Sequence, residues 1–253
     1  MRGVIIGSGN VARCFGRRLV HGGHEITQIY SPNPAHSGSL ASEWHTLALD
    51  SLEDIDPGLD FYLLAIKDDV LPHVVSQLAV RNGVIIHTSG SVPIDILQDL
   101  EAESGVIYPL QTLHSQTGDQ VKIPLLLEAS SFSSMKVLKL LSASISDKIY
   151  DVSSPMRLRI HLAAVISNNF TTHLLHLWSM FCTQEGIDTS LFEPLVTETL
   201  HTAFERNREK IQTGPAVRGD NRTIAKHLKL LENQPELQHL YKEFSDSIRR
   251  LHS

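Results

Sequence analysis

A chain of 253 residues with 42% hydrophobic and 20% charged residues has the composition of a globular protein, which excludes a disordered or fibrous one. The net charge of −6, without a dense basic stripe, argues against a nucleic-acid partner and favours small molecules. No apolar run approaches the roughly 20 residues of a membrane span, and no secretory leader precedes Val4-Ile5-Ile6. Cys14 and Cys182 stand in no ligand spacing, so we expect a cytoplasmic protein that does not act on membranes.

Short β-branched apolar runs alternate with helical stretches through the first 150 residues. The pattern predicts strands over residues 3–7, 24–30, 61–66, 83–88, 105–108, 122–128 and 147–150. It predicts helices over residues 11–21, 69–79, 93–103 and 133–142. Alternating strands and helices are typical of βαβ units. Residues 1–150 are therefore predicted to form an α/β domain around a mostly parallel sheet.

The pattern changes near residue 151 and stays helical to the end of the chain. Ser153-Ser154-Pro155 is a helix-start signal, with serine as cap and proline in the first turn. Helical spacing of apolar residues then runs from residue 156 to 181, and Gly186 follows as the C-terminal cap. Further helices are predicted over residues 191–211, 221–232 and 235–251. We therefore expect a second, all-α domain of residues 151–253.

The segment Gly7-Ser8-Gly9-Asn10-Val11-Ala12 lies between the first strand and the first helix and has the spacing GxGxxA. Gly7 allows a tight turn, Gly9 lets the backbone approach a pyrophosphate, and Ala12 lets the helix pack closely on the strand. Such turns also occur for steric reasons alone, but this position favours dinucleotide binding in a Rossmann-like domain. The predicted cofactor-binding residues of the turn are Gly7, Ser8, Gly9, Asn10 and Val11.

The end of the second strand bears on the choice between NADP and NAD. NAD sites normally carry an acid there, about 20 residues after the turn, that binds the ribose 2′-hydroxyl. This chain has Ser31-Pro32-Asn33, without the acid that would repel a 2′-phosphate and without an arginine to bind one. Ser31 and Asn33 remain as neutral donors. The sequence therefore favours NADP and leaves NAD as the alternative.

Two later strand ends are predicted to complete the cofactor site. Ala65, Ile66 and Lys67 lie at the carboxyl end of the third predicted strand, and Ser89 follows the fourth. Open α/β sheets bind ligands outside the carboxyl ends of their strands. The same loops would also serve as ordinary capping turns, and both interpretations can hold together.

These residues together resemble a bacterial family described as a Rossmann-like domain followed by a domain of unknown function, DUF2520. The N-terminal half is also similar to the Rossmann domains of pyrroline-5-carboxylate reductases and deazaflavin-dependent NADP oxidoreductases. Besides the GxGxxA turn, the resemblance is carried by residues 65–69, 87–91, 108–112, 162–170 and 212–220. It implies a C-terminal domain like that of 6-phosphogluconate dehydrogenase, commonly a dimer through its helices, and no particular substrate.

Two positions depart from the proteins that the chain resembles. An arginine is usual after the serine that ends the second strand, and this chain has Pro32 there, which weakens the assignment of NADP. Related hydroxyacid dehydrogenases carry a catalytic lysine three residues before an asparagine pair, and the matching position is Val165. The missing lysine argues against alcohol oxidation of that kind.

A line of polar residues crosses the long predicted helix. His161, Asn168 and Thr172 fall within a narrow arc, because seven and eleven residues are almost whole turns of an α-helix. Such a line is typical of a helix that borders a cleft, although packing in a bundle or a dimer would also satisfy these groups. Imidazole exchanges protons near neutral pH, so His161 is the candidate acid, with Asn168 as the second candidate catalytic residue.

The loop of residues 212–220 is the candidate substrate site of the second domain. By resemblance to the pyrroline-5-carboxylate reductases, Thr213, Gly214 and Arg218 would hold an anionic substrate. The alternative is a helix–helix turn in which Arg218 pairs with Asp220.

The leading hypothesis is a reductase that moves hydride from NADPH to a small anionic carbonyl or imine compound. The nicotinamide would lie between Ser89, Gln111-Thr112 and the helix of His161, with Gln111 on the cofactor and Thr112 on the substrate. The alternative is a cofactor-binding sensor or assembly module without turnover, because the lysine of the relatives is missing. His173 and His176 lack a third ligand at a recognisable spacing, so no metal is predicted.

The long helix also bears on assembly. Leu162, Ile166, Phe170, Leu174 and Phe181 lie on sides of the helix that point toward a core. Too few residues follow to bury them within a single four-helix domain. We therefore predict a homodimer with the helical domains at its centre.

Overall fold

The computed structural model describes residues 1–114, 117–118, 120–205 and 212–252. The chain divides into two compact units, Met1–Ala164 and Val165–Ser253. In the described part, the first unit contains the sheet, and the second consists of helices and loops. The predicted fold class, a Rossmann-like α/β domain followed by an all-α region, is confirmed.

An eight-stranded sheet forms the centre of the first unit. Its strands are β1 (Arg2–Ile6), β2 (Glu25–Tyr30), β3 (Leu47–Leu49), β4 (Phe61–Leu64), β5 (Val84–His87), β6 (Glu103–Pro109), β7 (Leu125–Ala129) and β8 (Ile149–Asp151). Their order is β3-β2-β1-β4-β5-β6-β7-β8, with β1 to β6 parallel and β7 antiparallel to β6. The order reverses between β1 and β4, which makes the carboxyl ends of these strands the expected ligand site.

Helices cover both faces of this sheet. They are α1 (Asn10–His21), α2 (Pro34–Trp44), α3 (Leu71–Val75) and α4 (Phe132–Ile145), and α5 (Ser154–Ala164) follows β8 at the end of the unit. One apolar cluster packs α1, α2 and α4 on the sheet around Phe15, Leu40 and Leu138. The other packs α3 and two short 3-10 turns around Tyr62 and Leu71. All four residues of β4 are buried, as expected for a strand covered on both faces.

Two predicted helices of the first unit are much shorter in the structure. The segment 69–79 contains only α3, and the segment 93–103 contains a 3-10 turn, Ile94–Leu97. Backbone hydrogen bonds there span three residues, from the Ile96 amide to Pro93 and from the Leu100 amide to Leu97. Apolar residues of both segments pack on the sheet without forming a long regular helix. Their spacing, which resembles that of a helix, therefore reflects burial against the sheet. The sequence analysis also missed α2 and β3.

Arginine side chains of α1 bind the connection between β6 and β7 and the end of α4. The buried Arg18 guanidinium donates to the carbonyl oxygens of Ile145 (2.6 Å), Gly118 (3.1 Å) and Val121 (2.8 Å). Arg17 donates to the Thr117 carbonyl. Residues distant in sequence are thereby joined to the helix that carries the GxGxxA turn.

The second unit contains a π-helical segment (Val165–Phe170), α6 (Thr171–Gln184), α7 (Glu193–Glu205), α8 (Asn221–Leu230) and α9 (Pro235–His252). The predicted helix of residues 156–181 thus contains a π-helical interruption. Gly186, with φ of 67°, ends α6: its amide donates to Thr183, and the Ile187 amide to Cys182. Residues 206–211 of the predicted helix 191–211 lie outside the described residues. None of the described helices is long and apolar enough to span a membrane.

The helical unit buries little of its apolar surface. Its buried described residues are Cys182, Ala216, Ile224, Leu231 and Ser245. Three residues expected in a core, Ile166, Phe170 and Leu174, are 53%, 61% and 36% exposed, and Leu162 at the end of α5 is 58% exposed. The described part of the unit thus leaves these side chains uncovered in a single chain, and their burial between two copies stays a prediction.

Candidate active site

The GxGxxA turn begins at the end of β1, between β2 and β4. Gly7 has φ of 120°, and a Cβ there would lie 2.2 Å from the Ala65 carbonyl oxygen, so only glycine fits. The Gly7 amide donates to the Tyr30 carbonyl (2.8 Å), and the Ala65 amide donates to the Ile6 carbonyl (2.8 Å). Backbone contacts on both sides thus fix the turn.

The first turn of α1 opens onto free space. Gly9 is the N-cap, no described side chain caps the helix, and a Cβ at Gly9 would meet no described atom within 4 Å. A pyrophosphate needs such an approach to the amides of a helix N terminus, so these residues fit a dinucleotide. The Asn10 side-chain amide donates to the Leu113 carbonyl (2.9 Å), and Val11 is half-buried against the core.

Two serine hydroxyls meet at the ends of β1 and β2. Ser8 Oγ lies 2.8 Å from Ser31 Oγ, which also accepts from the Asn33 amide at 3.4 Å. Asn33 caps α2, because its Oδ1 accepts from the Ala35 amide at 3.0 Å. The Asn33 side-chain NH₂ and one serine hydroxyl proton remain as neutral donors at this edge.

The loops after β4 and β5 lie at the same edge of the sheet, because these strands are parallel to β1. Ala65 is buried, Ile66 is half-buried beside Gly7, and Lys67 is exposed. Ser89 closes its own turn, since its Oγ accepts from the amides of Ser91 (3.1 Å) and Val92 (3.0 Å). These loops are thus capping turns at the ligand edge, as both interpretations of the sequence allow.

His161 lies against Tyr108, a residue to which the sequence analysis gave no role. Tyr108 Oη and His161 Nδ1 are 3.0 Å apart, and the rings meet edge to face with centroids 5.7 Å apart. A Cβ at Gly90 would lie 2.8 Å from His161 Nδ1 and from the Tyr108 ring. The end of β6, the turn after β5 and α5 therefore converge on this pair.

Burial and neighbouring charges shift the pKa values of Tyr108 and of the buried His87. Burial raises the pKa of the Tyr108 phenol, and the Asp68 charge acts in the same direction. Asp68 accepts a hydrogen bond from the Ser91 hydroxyl. Burial lowers the pKa of His87 to about 4, and the Arg157 charge adds to this effect. Tyr108 therefore stays a neutral phenol, and His87 a neutral imidazole, near pH 7.

A buried ion pair fixes the start of α5. Arg157, 1% exposed, forms an ion pair with Glu128 of β7 and donates to the Val92 carbonyl (2.6 Å). Glu128 also accepts from the Ser154 amide (2.7 Å) and hydroxyl (2.6 Å). Burial alone would raise the pKa of Glu128, but the hydrogen bonds from Ser154 and Arg157 outweigh burial and lower it. Strand β7 and the turn after β5 are thus joined to the helix of His161.

Gln111 and Thr112 follow β6 and are exposed. The Gln111 Oε1 accepts from the Thr112 amide (2.9 Å), and its Nε2 donates to the Lys122 carbonyl (3.4 Å). Both residues thus lie beyond the end of β6 that carries Tyr108. Their contacts with cofactor and substrate stay predictions.

Comparison with known proteins identifies the family. The model described as NADP oxidoreductase coenzyme F420-dependent matches residues 3–90, and the model described as a domain of unknown function (DUF2520) matches residues 123–248. A candidate NADP oxidoreductase from Bacteroides fragilis is 31% identical, with 98% of each chain covered and a TM-score of 0.88. The chain belongs to this family of Rossmann-like proteins with a DUF2520 domain. The predicted family is therefore confirmed.

More distant structures share the fold of this DUF2520 protein. An imine reductase from Myxococcus stipitatus, solved with NADP+, is 15% identical, with a TM-score of 0.74 over 99% of this chain and 93% of its own. A 1-pyrroline-5-carboxylate reductase from Streptococcus pyogenes is 17% identical, with a TM-score of 0.62 over 99% and 98%. No curated protein matches in sequence. The chain thus has the fold of NADP-dependent oxidoreductases.

Asn168, the second candidate catalytic residue of the DUF2520 protein, lies in the π-helical segment of the second unit. It is exposed, and its side-chain amide donates to Asn169 Oδ1 at 3.3 Å. The narrow arc expected for His161, Asn168 and Thr172 assumes a regular α-helix. The π-helical segment breaks that regularity, so the spacing argument is wrong, whereas the catalytic role of Asn168 stays a prediction.

The loop proposed for substrate binding is a tight turn before α8. Gly214 has φ of 108°, Thr213 is exposed, and Arg218 is exposed. Asp220 caps α8 through hydrogen bonds from the Thr223 amide (3.1 Å) and hydroxyl (2.7 Å). These hydrogen bonds from Thr223 lower the pKa of Asp220, and the Arg218 charge acts in the same direction. Both interpretations of the loop therefore stay open. Thr213 lines a cavity of about 200 Å³ within the helical unit.

Sequence reasoning missed Tyr108 and the Arg157–Glu128 pair. Tyr108 ends a buried strand at the edge where the cofactor loops were predicted, which is a signal that the sequence contains. No sequence signal joins Arg157 to Glu128, because only the fold brings these charges together. In the described part of the chain, no group of three or more histidine, cysteine, aspartate or glutamate side chains could hold a metal ion.

Proposed function

We propose that this protein is an NADPH-dependent reductase of a small anionic carbonyl or imine compound. One observation carries the proposal: a single edge of the sheet bears both the GxGxxA turn and the His161–Tyr108 pair. Nucleotide binding and proton transfer are the two tasks of such an enzyme. The NADP oxidoreductases among its relatives support the same reading.

The cofactor supplies the hydride when bound, and this chain supplies the binding groups. Gly7, Ser8, Gly9, Asn10 and Val11 would hold the pyrophosphate. Ser31 and Asn33 would hold the adenosine ribose, and the absence of an acid there favours NADP over NAD. Ala65, Ile66, Lys67, Ser89 and Gln111 would border the nicotinamide end.

On the substrate side, we propose His161 as the acid. Its Nδ1 contacts Tyr108, so Nε2 is the ring atom left to meet a substrate. Asn168 and Thr112 would orient the reacting group. Thr213, Gly214 and Arg218 would bind an anionic group, a role that rests on the resemblance to the pyrroline-5-carboxylate reductases.

Fluorescence titration with NADPH and NADH tests cofactor binding. We expect NADPH to bind more tightly than NADH. If both dissociation constants exceed about 1 mM, a binding free energy near −4 kcal/mol, the proposal is contradicted. Gly9→Asp should weaken binding at least about tenfold, because its carboxylate meets the phosphates. Gly9 has room for a Cβ and ordinary φ, so the variant should fold, and Gly9→Asn is the neutral control of similar size.

The alternative function is a cofactor-binding sensor or assembly module without turnover. Val165, in place of the relatives' lysine, favours this alternative. Incubation of the NADPH complex with a panel of keto acids, imines and aldehydes separates the two. Oxidation of NADPH by one of these compounds supports the reductase. In His161→Ala the rate of this oxidation should fall about 100-fold while the affinity for NADPH stays unchanged. Full turnover in His161→Ala contradicts the role of His161.

We also propose that the protein is a homodimer through its helical unit. The exposed apolar side chains of α6 and α7 support this proposal, because such a surface is unfavourable in water. A second copy would cover them with an equivalent surface.

A further inference from the structure

We propose that Tyr108 is a positioning residue for His161. Its phenol oxygen accepts the Nδ1 proton of the imidazole, and Nε2 is left as the atom that holds and releases a proton. The inference rests on the reductase proposed above, in which His161 is the acid. The sequence pattern gives Tyr108 no role.

The contact between the two rings fixes the imidazole in two ways. The hydrogen bond joins Tyr108 Oη to His161 Nδ1 at 3.0 Å. The edge-to-face contact, at 81° between ring planes, adds packing that holds the plane of the imidazole. Nδ1 is therefore committed to the protein, and Nε2 points away from Tyr108.

The direction of the hydrogen bond follows from the chemistry of an acid. If Tyr108 donated to Nδ1, neutral His161 would carry its proton on Nε2 and could release it only as an imidazolate. If Tyr108 accepts from Nδ1, His161 can carry a proton on each nitrogen, release that of Nε2 and remain neutral. Burial keeps Tyr108 a phenol, whose oxygen is able to accept. Only the second arrangement lets His161 act as an acid.

When bound, NADPH would supply a hydride to the carbon of the C=O or C=N group and leave as NADP+, which would reduce the substrate to an alcohol or amine. The oxygen or nitrogen of that group would take the Nε2 proton of His161 as its C=O or C=N π bond breaks. His161 would then be neutral, with its other proton still on Nδ1 and hydrogen-bonded to Tyr108, and solvent would restore the Nε2 proton.

Neighbouring elements hold the pair from two further sides. Arg157 lies one helical turn before His161 on α5, and its ion pair with Glu128 fixes that face of the helix. Gly90 lies against both rings, with no space for a Cβ. The Gly90 position thus controls the approach of the two rings without being part of the hydrogen bond.

A second tyrosine–histidine pair provides a matched control. In the helical unit, Tyr241 Oη lies 2.8 Å from His227 Nδ1, with ring centroids 5.7 Å apart at 83°. The geometry resembles that of the Tyr108–His161 pair, but no dinucleotide turn belongs to that unit. Tyr241→Phe therefore removes the same group at a different site.

¹⁵N NMR of the histidine rings, at a pH where imidazole is neutral, tests the inference directly. The signals of His161 are assigned by their loss in His161→Gln. We expect the Nδ1–H tautomer in the wild type and a change to predominantly Nε2–H in Tyr108→Phe. Gly90→Ala should cause the same change, because its Cβ separates the rings. Tyr241→Phe should leave His161 unchanged.

Two outcomes would overturn the inference: an Nε2–H tautomer in the wild type, or no change of tautomer in Tyr108→Phe. NADPH titration of the same variants keeps this test separate from the proposed function. Tyr108→Phe should bind NADPH within about twofold of the wild type, because the phenol is not a cofactor ligand. Loss of NADPH binding in the wild type contradicts the reductase, whereas an unchanged tautomer contradicts only the role of Tyr108.

Discussion

Helices α4 and α6 have the same length, 14 residues, but bury very different parts of their surface. α4 buries five residues, among them Leu138, Leu141 and Ile145, against the sheet. α6 buries only Cys182 and leaves Leu174, Leu175 and Met180 exposed. α4 lies on a layer of strands, whereas the unit of α6 has no strand among its described residues. A helix of similar apolar content is therefore covered in one unit and left exposed in the other.

The largest effect is expected from breaking the buried ion pair of the sheet unit. Arg157→Met should lower the free energy of unfolding by about 3–5 kcal/mol, because the Glu128 carboxylate loses its charged partner. Arg159→Met, at an exposed position of the same helix, should change it by less than about 0.5 kcal/mol. Urea denaturation measures both. Equal changes in the free energy of unfolding would mean that the buried Arg157 contributes no more stability than the exposed Arg159.

Glycines with positive φ in the two units should respond differently to alanine. Gly7→Ala should cost about 3 kcal/mol or more, because strain at φ of 120° adds to a clash with the Ala65 carbonyl. Gly214→Ala, with φ of 108° and no described atom within 4 Å of the added Cβ, should cost only about 1–2 kcal/mol of strain. Denaturation curves of the two variants test the comparison. A larger loss for Gly214→Ala would reverse it.

The buried His87 should make the sheet unit sensitive to mild acid. Burial lowers its pKa to about 4 from an ordinary 6.5, so the unfolded chain binds a proton that the folded chain rejects. The stability from this group is complete above pH 6.5 and is lost as the pH falls toward 4. At pH 5 the loss should be about 2 kcal/mol. In His87→Asn this component of the pH dependence should disappear from denaturation curves; an unchanged slope contradicts the assignment.

The smallest effect on the single chain is expected at an exposed apolar residue of the helical unit. Phe170→Glu should change monomer stability by less than about 0.5 kcal/mol, since Phe170 is 61% exposed. The same change should dissociate the proposed dimer, because it puts a charge in the interface. Light scattering measures the mass, with Lys242→Glu as an exposed polar control. A wild-type mass of 28.1 kDa at micromolar concentration would refute the dimer.

The sequence could predict the sheet unit because each of its signals is local. The GxGxxA turn, its place after β1 and the alternation of strands and helices suffice for the fold and for the position of Gly7 and Gly9. The regions 69–79 and 93–103 were mistaken for long helices because apolar residues that pack on a sheet can imitate helical spacing. The pairing of Tyr108 with His161, and of Arg157 with Glu128, depends on contacts between distant strands and α5, which no spacing reveals.

The helical unit shows the opposite limit of sequence reasoning. Residues 156–181 have the composition of one continuous helix, but the π-helical segment changes which residues share a face. The helices could be predicted, whereas the arc of His161, Asn168 and Thr172 could not. A π-helical segment has more residues per turn than an α-helix, so it changes the direction in which every later side chain points from the helix axis. The composition of the segment does not show this change.

Arg18 has a consequence for how the chain is made in the cell. Its guanidinium is satisfied in part by the Ile145 carbonyl, 127 residues later in the sequence. At about 5–20 residues per second, synthesis of that interval takes on the order of 10 s, during which α1 waits for its acceptor. The helix that would bind the dinucleotide is therefore synthesised well before the Ile145 carbonyl that helps to hold it. A fragment that ends at residue 90 keeps the GxGxxA turn but loses the Gly118, Val121 and Ile145 carbonyls, so it should not reproduce the native nucleotide site.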